Sequence, residues 1–256
     1  MEPISASLRA LLSRVVDYAG LYPPAALPLA QTAANYDRYR ALPESWMLNR
    51  LVLPAAKLGE AAPRAGWRIT LLVDGEPGAL PAEVETLETK QPRRLSLPTY
   101  CEAPLESITD GAFAKVRTGG LKPEAIPGAE EIADFLQRAA ARRMPFKATA
   151  GLHHPLRSER ALTYETGSPC AVMHGFLNVF TAAALAWNGA DRATLLGVLQ
   201  ETDARAFEFG ESAMRWRGRT IETDRIAAAR RDFAHSFGSC SFEEPVADLR
   251  ELGLLP

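Results

Sequence analysis

The sequence predicts a (β/α)8 barrel of the TIM-like kind, and three observations predict it. At 256 residues, 47% of them apolar, the chain is long enough to bury one large core of that size. Short strand-like runs alternate with helical or turn-rich connections along its length. Six of the runs also share a phase, with small or aliphatic residues on one face and polar groups on the other. A barrel with helices outside and a pocket inside needs that pattern. An open doubly wound sheet is the competing architecture. On the barrel reading the chain is a single domain, 1–256, with a short C-terminal tail.

In order, the strand-like runs are VVDYAG (15–20), LNRLVLP (48–54), WRITLLVD (67–74), RLSLPTYCE (94–102), FAKVRTG (113–119), FKATAG (146–151), HGFLNVF (174–180) and AFEFGE (206–211). Helices are expected over 28–42, 80–90, 129–143, 181–203 and 223–234, from apolar spacing and Ala, Leu, Glu and Arg content. Gly128 followed by Ala129, Glu130 and Glu131 puts carboxylates in a first helical turn, where the helix dipole favours them. Arg142 and Arg143 before Pro145 mark the end of that helix. Trp216-Arg217-Gly218 reads as a surface hairpin turn, and FGSCSFEEPVADLRELGLLP as a tail packed after the eighth unit.

The strand phases bring charge together. Ala114 and Val116 oppose Lys115 and Arg117; Ala148 and Ala150 oppose Lys147 and Thr149; Leu71 and Val73 oppose Asp74; Leu95 and Leu97 oppose Tyr100 and Glu102. Leu177 and Val179 oppose His174 and Asn178, and Phe207 and Phe209 oppose Glu208. Inside a closed barrel these phases gather Asp74, Glu102, Lys115, Arg117, Lys147 and Glu208, three acids facing three bases. An ammonium among apolar groups costs several kcal/mol unless it is paired, so such a cluster points to an active site.

Lys147 is the preferred catalytic residue. Desolvation and a second nearby cation are expected to lower its pKa, and the free amine can then attack a carbonyl to form a Schiff base. Lys115 and Arg117 would supply that second charge or hold a substrate carboxylate or phosphate. A structural salt bridge from Lys147 to Glu102, Asp74 or Glu208 is the alternative. The segments KVRTGG and KATAGL resemble the lysine-bearing strands of class I aldolases of the deoxyribose-phosphate aldolase type. That resemblance implies a (β/α)8 barrel in which Lys147 forms the Schiff base, Lys115 lowers its pKa, and Asp74 or Glu102 moves protons. Arg117 and the paired histidines have no counterpart in that pattern.

His153 and His154 follow the Lys147 strand at the rim where active sites of this fold lie, and either can act as a general acid or base. No cofactor is favoured. A divalent metal held by His153, His154, His174, Glu102 and Asp74 is the alternative, although no HxH, HExxH or CxxC spacing supports it. Gly119 and Gly120, after Thr118 and beside Arg117, could cradle an anion on backbone N–H groups, but match no nucleotide-binding fingerprint. Asp17 and Tyr22, in DYAGLYPP, are further substrate-contact candidates, together with Asn178 and Glu208. Cys240, in a Gly-Ser-Cys-Ser turn, has no neighbouring His or Asp in sequence and reads as a packing residue.

Composition narrows the function classes. Formal net charge is -2 with no basic block, which disfavours nucleic acid and anionic membrane as partners. No apolar run reaches a membrane-spanning length, and the N-terminus lacks signal-peptide architecture. Three scattered cysteines fit reduced thiols in the cytoplasm. The leading expectation is a lyase, aldolase-like, acting on a small anionic carbonyl compound. A metal-dependent hydrolase, lyase or isomerase, or a non-catalytic barrel that binds a small anion, are the other expectations. Self-association into a homo-oligomer is compatible with all three.

Overall fold

In the computed structural model, which describes residues 4–109 and 111–256, eight parallel strands close into a barrel. Residues 1–3 of the N-terminal stretch lie outside that description, as does residue 110. The barrel strands are β1 (Val16–Tyr18), β2 (Leu48–Pro54), β3 (Ile69–Leu72), β4 (Val84–Thr89), β5 (Thr99–Cys101), β6 (Phe113–Arg117) and β7 (Phe146–Thr149), then, after a long insertion, β13 (Ala234–Ser239). β13 pairs with β7 on one side and β1 on the other, which closes the ring.

The helices are α1 (Ala6–Leu12), α2 (Leu29–Arg40), α3 (Leu58–Ala61), α4 (Ala129–Ala141), α5 (Phe176–Trp187), α6 (Arg192–Gln200), α7 (Thr223–Asp232) and α8 (Glu243–Glu251). They do not alternate evenly with the strands. Among the described residues, the connections between β3 and β4, β4 and β5, and β5 and β6 contain no α-helix. The stretch between β7 and β13 carries α5, α6 and α7, a hairpin of β8 (Ser158–Ala161) with β9 (Cys170–Met173), and a three-stranded antiparallel sheet. That sheet is β10 (Phe207–Phe209), β11 (Ala213–Trp216) and β12 (Arg219–Glu222).

Alternation sorts each barrel strand into an outward apolar set and an inward set. Val16 and Tyr18, Leu51 and Leu53, Ile69 and Leu71, Leu87, Cys101, Ala114, Phe146 and Ala148, and Phe237 belong to the apolar core. Between them stand Asp17, Val52, Thr70, Glu88, Tyr100, Lys115, Lys147 and Ser236, the residues of opposite phase. Among the inward residues the Thr70 and Thr86 hydroxyls meet at 2.8 Å, a neutral pair beside the charged ones.

Six of the eight expected strands are barrel strands, and the departures from expectation are informative. Segment 80–90, expected as a helix for its Glu and Leu content, forms β4 instead. Its β-branched Val84, Thr86 and Thr89 suit a strand, and pairing with β3 and β5 outweighs the helix propensity of the glutamates. Segment 174–180, expected as a strand, enters α5, which is buried on nearly every face. An apolar run of this kind fits a buried strand or a buried helix equally until the following alanines extend it to helical length. The expected 181–203 helix divides at Asn188–Asp191. Gly189 there adopts φ 85°, and Asp191 caps the N–H of Thr194 at 2.8 Å to start α6.

Segment 206–211 does contain a strand, but one in the side sheet, followed by the expected turn: Arg217 and Gly218 both have positive φ between β11 and β12. The eighth barrel strand is β13, so the closing segment supplies the end of that strand and then α8, completing the last unit.

Candidate active site

A cavity of about 650 Å³ opens at the carboxyl ends of the barrel strands. Its charged floor begins at the barrel centre with Lys147, paired across β6 and β7 in register with Lys115, so both side chains enter the same interior layer. Lys147 is 1% exposed and donates to Asp17 Oδ2 and, at 2.5 Å, to Glu88 Oε1. The other oxygen of Glu88 lies 2.6 Å from Lys115 Nζ, which is also 3.1 Å from Glu102 Oε2. The second Glu102 oxygen accepts from Arg117 at 2.8 Å. The result is a row of alternating sign from the centre to the mouth: Asp17, Lys147, Glu88, Lys115, Glu102, Arg117.

Each carboxylate has further support. Asp17 accepts from Asn49 Nδ2 at 2.6 Å, the Arg50 N–H at 3.2 Å and Ser236 Oγ at 2.8 Å. Burial pushes the Asp17 carboxyl up, but Lys147 and Arg50 outweigh it and hold the group below the ordinary carboxylate range. Glu88 is treated alike, burial being overcome by Lys147 and then Lys115. In Glu102, burial is offset by Lys115 and Arg117, and the group again stays below its usual value.

For Lys147 burial disfavours the charge, yet Asp17 and Glu88 reverse that and raise its pKa above the ordinary lysine value. This corrects the expectation of a lowered pKa. The nearby cation, Lys115, is screened by the carboxylate they share, and two anions touch Lys147 directly. The charged amine at the barrel centre is a fixed ammonium, not a resting nucleophile.

The row has the expected balance of three acids and three bases, with two members exchanged. Asp74 lies exposed after β3 and lines the cavity at its rim, its backbone carbonyl accepting from Gln91. Glu208 is on β10, outside the barrel, exposed and 3.8 Å from Arg215. It cannot meet Lys147, because its strand belongs to a different sheet. Asp17 and Glu88 take their places. Asp17 was legible as a site candidate; Glu88 was missed because its segment reads as a helix, although Val84, Thr86 and Glu88 alternate with Glu85 and Leu87.

Asn178 is also corrected. It sits on α5, accepts from the Arg157 N–H at 2.9 Å, and donates to the Val198 and Glu201 carbonyls, tying α5 to the end of α6. Gly119 packs its Cα against Gly151, where an added Cβ would come within 2.9 Å; Gly120 lines the cavity. Tyr22 also lines it, and its hydroxyl is buried without a hydrogen-bond partner.

The histidines part company. His153 Nδ1 lies 2.9 Å from Glu244, His154 Nδ1 lies 2.6 Å from Asp248, and His174 Nε2 donates to the Pro127 carbonyl at 2.8 Å. Burial lowers the pKa of His174, consistent with a neutral ring. His153, His154, His174, Glu102 and Asp74 therefore do not converge. Among the described residues no group of three or more His, Cys, Asp or Glu side chains is placed to hold an ion.

The chain matches no family model, no curated protein and no solved structure. No described helix is long and apolar enough to cross a membrane.

Proposed function

We propose that the protein is an enzyme acting on a small anionic carbonyl compound, with aldolase-like lyase chemistry through a Schiff base on a barrel lysine. The observation that carries this reading is the row of six alternating charges ending at the cavity. Burying its four inner members, Asp17, Lys147, Glu88 and Lys115, costs several kcal/mol each before pairing, so the row is a poor device for stability and a good one for chemistry.

Lys115 is the amine assigned to the carbonyl. Its side chain is 10% exposed against 1% for Lys147, and it lies nearer the mouth. It would pass a proton to Glu88 or Glu102 and attack the carbonyl carbon; the oxygen would leave as water after taking up protons, leaving an iminium on Lys115. Lys147 would keep its charge and hold Glu88 in place. Arg117, half exposed at the rim, and Lys90, which lines the cavity, would bind the substrate anion.

Borohydride reduction in the presence of a panel of small oxo-acids and aldehyde phosphates tests the proposal. The expected outcome is a covalent adduct on the peptide carrying Lys115, lost in Lys115→Met. No adduct on any lysine across the panel would remove the Schiff base from the reading.

A further inference from the structure

The cavity also holds a second group of side chains that the row of charges does not use. Cys240 follows β13, His153 follows β7, Glu244 lies in the first turn of α8, and Tyr164 comes from the loop joining β8 to β9; all four line the cavity. Cys240 Sγ is 4.0 Å from His153 Nε2, and His153 Nδ1 is 2.9 Å from Glu244 Oε2. Tyr164 Oη donates to the same Glu244 oxygen at 2.9 Å and lies 3.7 Å from the sulfur. Ser239 Oγ is 3.5 Å from His153 Nδ1. Chain distance hides the arrangement, since 87 positions separate the cysteine from the histidine.

The order sulfur, imidazole, carboxylate is that of an activated nucleophile with its base and the group that orients the base. Glu244 accepts from Nδ1, which leaves Nε2 facing the sulfur. The other cysteines have no such company. Cys101 is buried with its thiol toward the Arg93 carbonyl, and Cys170 is exposed on β9.

We propose that Cys240, His153 and Glu244 form a second covalent station in the cavity, in which Cys240 attacks the acyl carbon of a small ester or thioester. His153 Nε2 takes the thiol proton as the S–C bond forms, and the substrate's C–O or C–S bond breaks. The departing alcohol or thiol takes that proton from the imidazolium. Water, activated by the same nitrogen, then cleaves the acyl–sulfur bond, releasing a carboxylic acid and restoring the thiol. Glu244 is a positioning residue, because it acts through His153.

The groups facing His153 are Glu244 from α8, Tyr164 from the β8–β9 loop, Ser239 and Cys240 from the end of β13, and His154, whose ring centre is 6.5 Å away and whose own partner is Asp248. Burial disfavours the charged ring, but the contacts with Cys240 and Glu244 raise its pKa to about 9, so the neutral ring that accepts the thiol proton gains population as pH rises toward 9, and acylation should rise with it.

The test uses the full chain and p-nitrophenyl acetate. The expected result is a burst of about one p-nitrophenolate per chain, with one acetyl group on the Cys240 peptide, followed by slower turnover. Cys240→Ser should lose the burst. His153→Gln should slow acylation by about 100-fold, and Glu244→Gln should displace the midpoint of the acylation pH profile. Acetyl groups on lysines or on Cys170 with Cys240 unmodified would overturn the proposal. So would unchanged burst kinetics in a His153→Gln protein that melts cooperatively. Adduct mapping on the unmutated chain keeps the test valid if a variant does not fold. The proposal is independent of the Schiff-base reading, since the two experiments modify different residues and either can fail alone.

Discussion

Lys147 is enclosed by two buried carboxylates, Asp17 and Glu88, and is the one cation in contact with both. Replacing it by Met removes that shared cation, leaving Glu88 with Lys115 alone and Asp17 with neutral donors and the Arg50 charge. Lys147→Met is expected to destabilise the protein by about 3–5 kcal/mol, measured by denaturant unfolding. His153 makes the opposite kind of prediction. Its folded pKa lies above the ordinary value, at about 9 against 6.5, so its contribution is complete below pH 6.5 and is lost as pH rises toward 9. Melting temperatures across that window should fall by the equivalent of roughly 3 kcal/mol, and the fall should shrink in His153→Gln.

Elements position these residues through a few backbone decisions. At the end of β7, Ala150 and Gly151 both take positive φ, 59° and 80°, where the chain turns out of the strand toward His153, which lines the same cavity as Lys147. Gly151 also abuts Gly119, so Gly151→Ala meets both a forbidden conformation and the Gly119 backbone. It should cost about 2 kcal/mol or more, read as a lower melting temperature, with a larger effect than Gly120→Ala, where the close neighbour is the Ala125 methyl.

What the sequence disclosed follows the same logic. Strands with strict period-2 contrast, such as those of Lys115 and Lys147, announced both their form and their inward residues. β4 did not, because its glutamates carry helix propensity and only its barrel neighbours make it a strand. β13 was hidden behind α7, which was expected to run on through Ala234. Losing those two strands lost Glu88 and the context of Cys240. The thiol's base and carboxylate lie far away in the chain, and no local spacing signals them.

At the scale of the whole molecule, the barrel is clothed unevenly, with the long stretch between β7 and β13 supplying three helices, a hairpin and a side sheet. The hairpin loop brings Leu162, Thr163 and Tyr164 to the cavity, so the insertion helps shape the site as well as cover the core. The charges inside set the conditions under which the fold is firmest. Asp17, Glu88 and Glu102 have depressed pKa values, so their stabilisation is present above the ordinary carboxylate values of 3.8 and 4.5 and is lost as pH falls through the lower folded ones. His174 and His235 have lowered pKa values, so their stabilisation grows as pH rises to 6.5; with His153 losing its share above that, thermal stability should peak near pH 6.5. A profile still rising at pH 9 would contradict this.

The sharing of oxygens along the row couples its two ends. Arg117 and Lys115 divide Glu102, and Lys115 and Lys147 divide Glu88. If an anion drew Arg117 away, one Glu102 oxygen would be freed and that carboxylate would be left to Lys115 alone. Occupancy at the mouth would thereby be felt by the carboxylates deeper in, because each shares a cation with its neighbour.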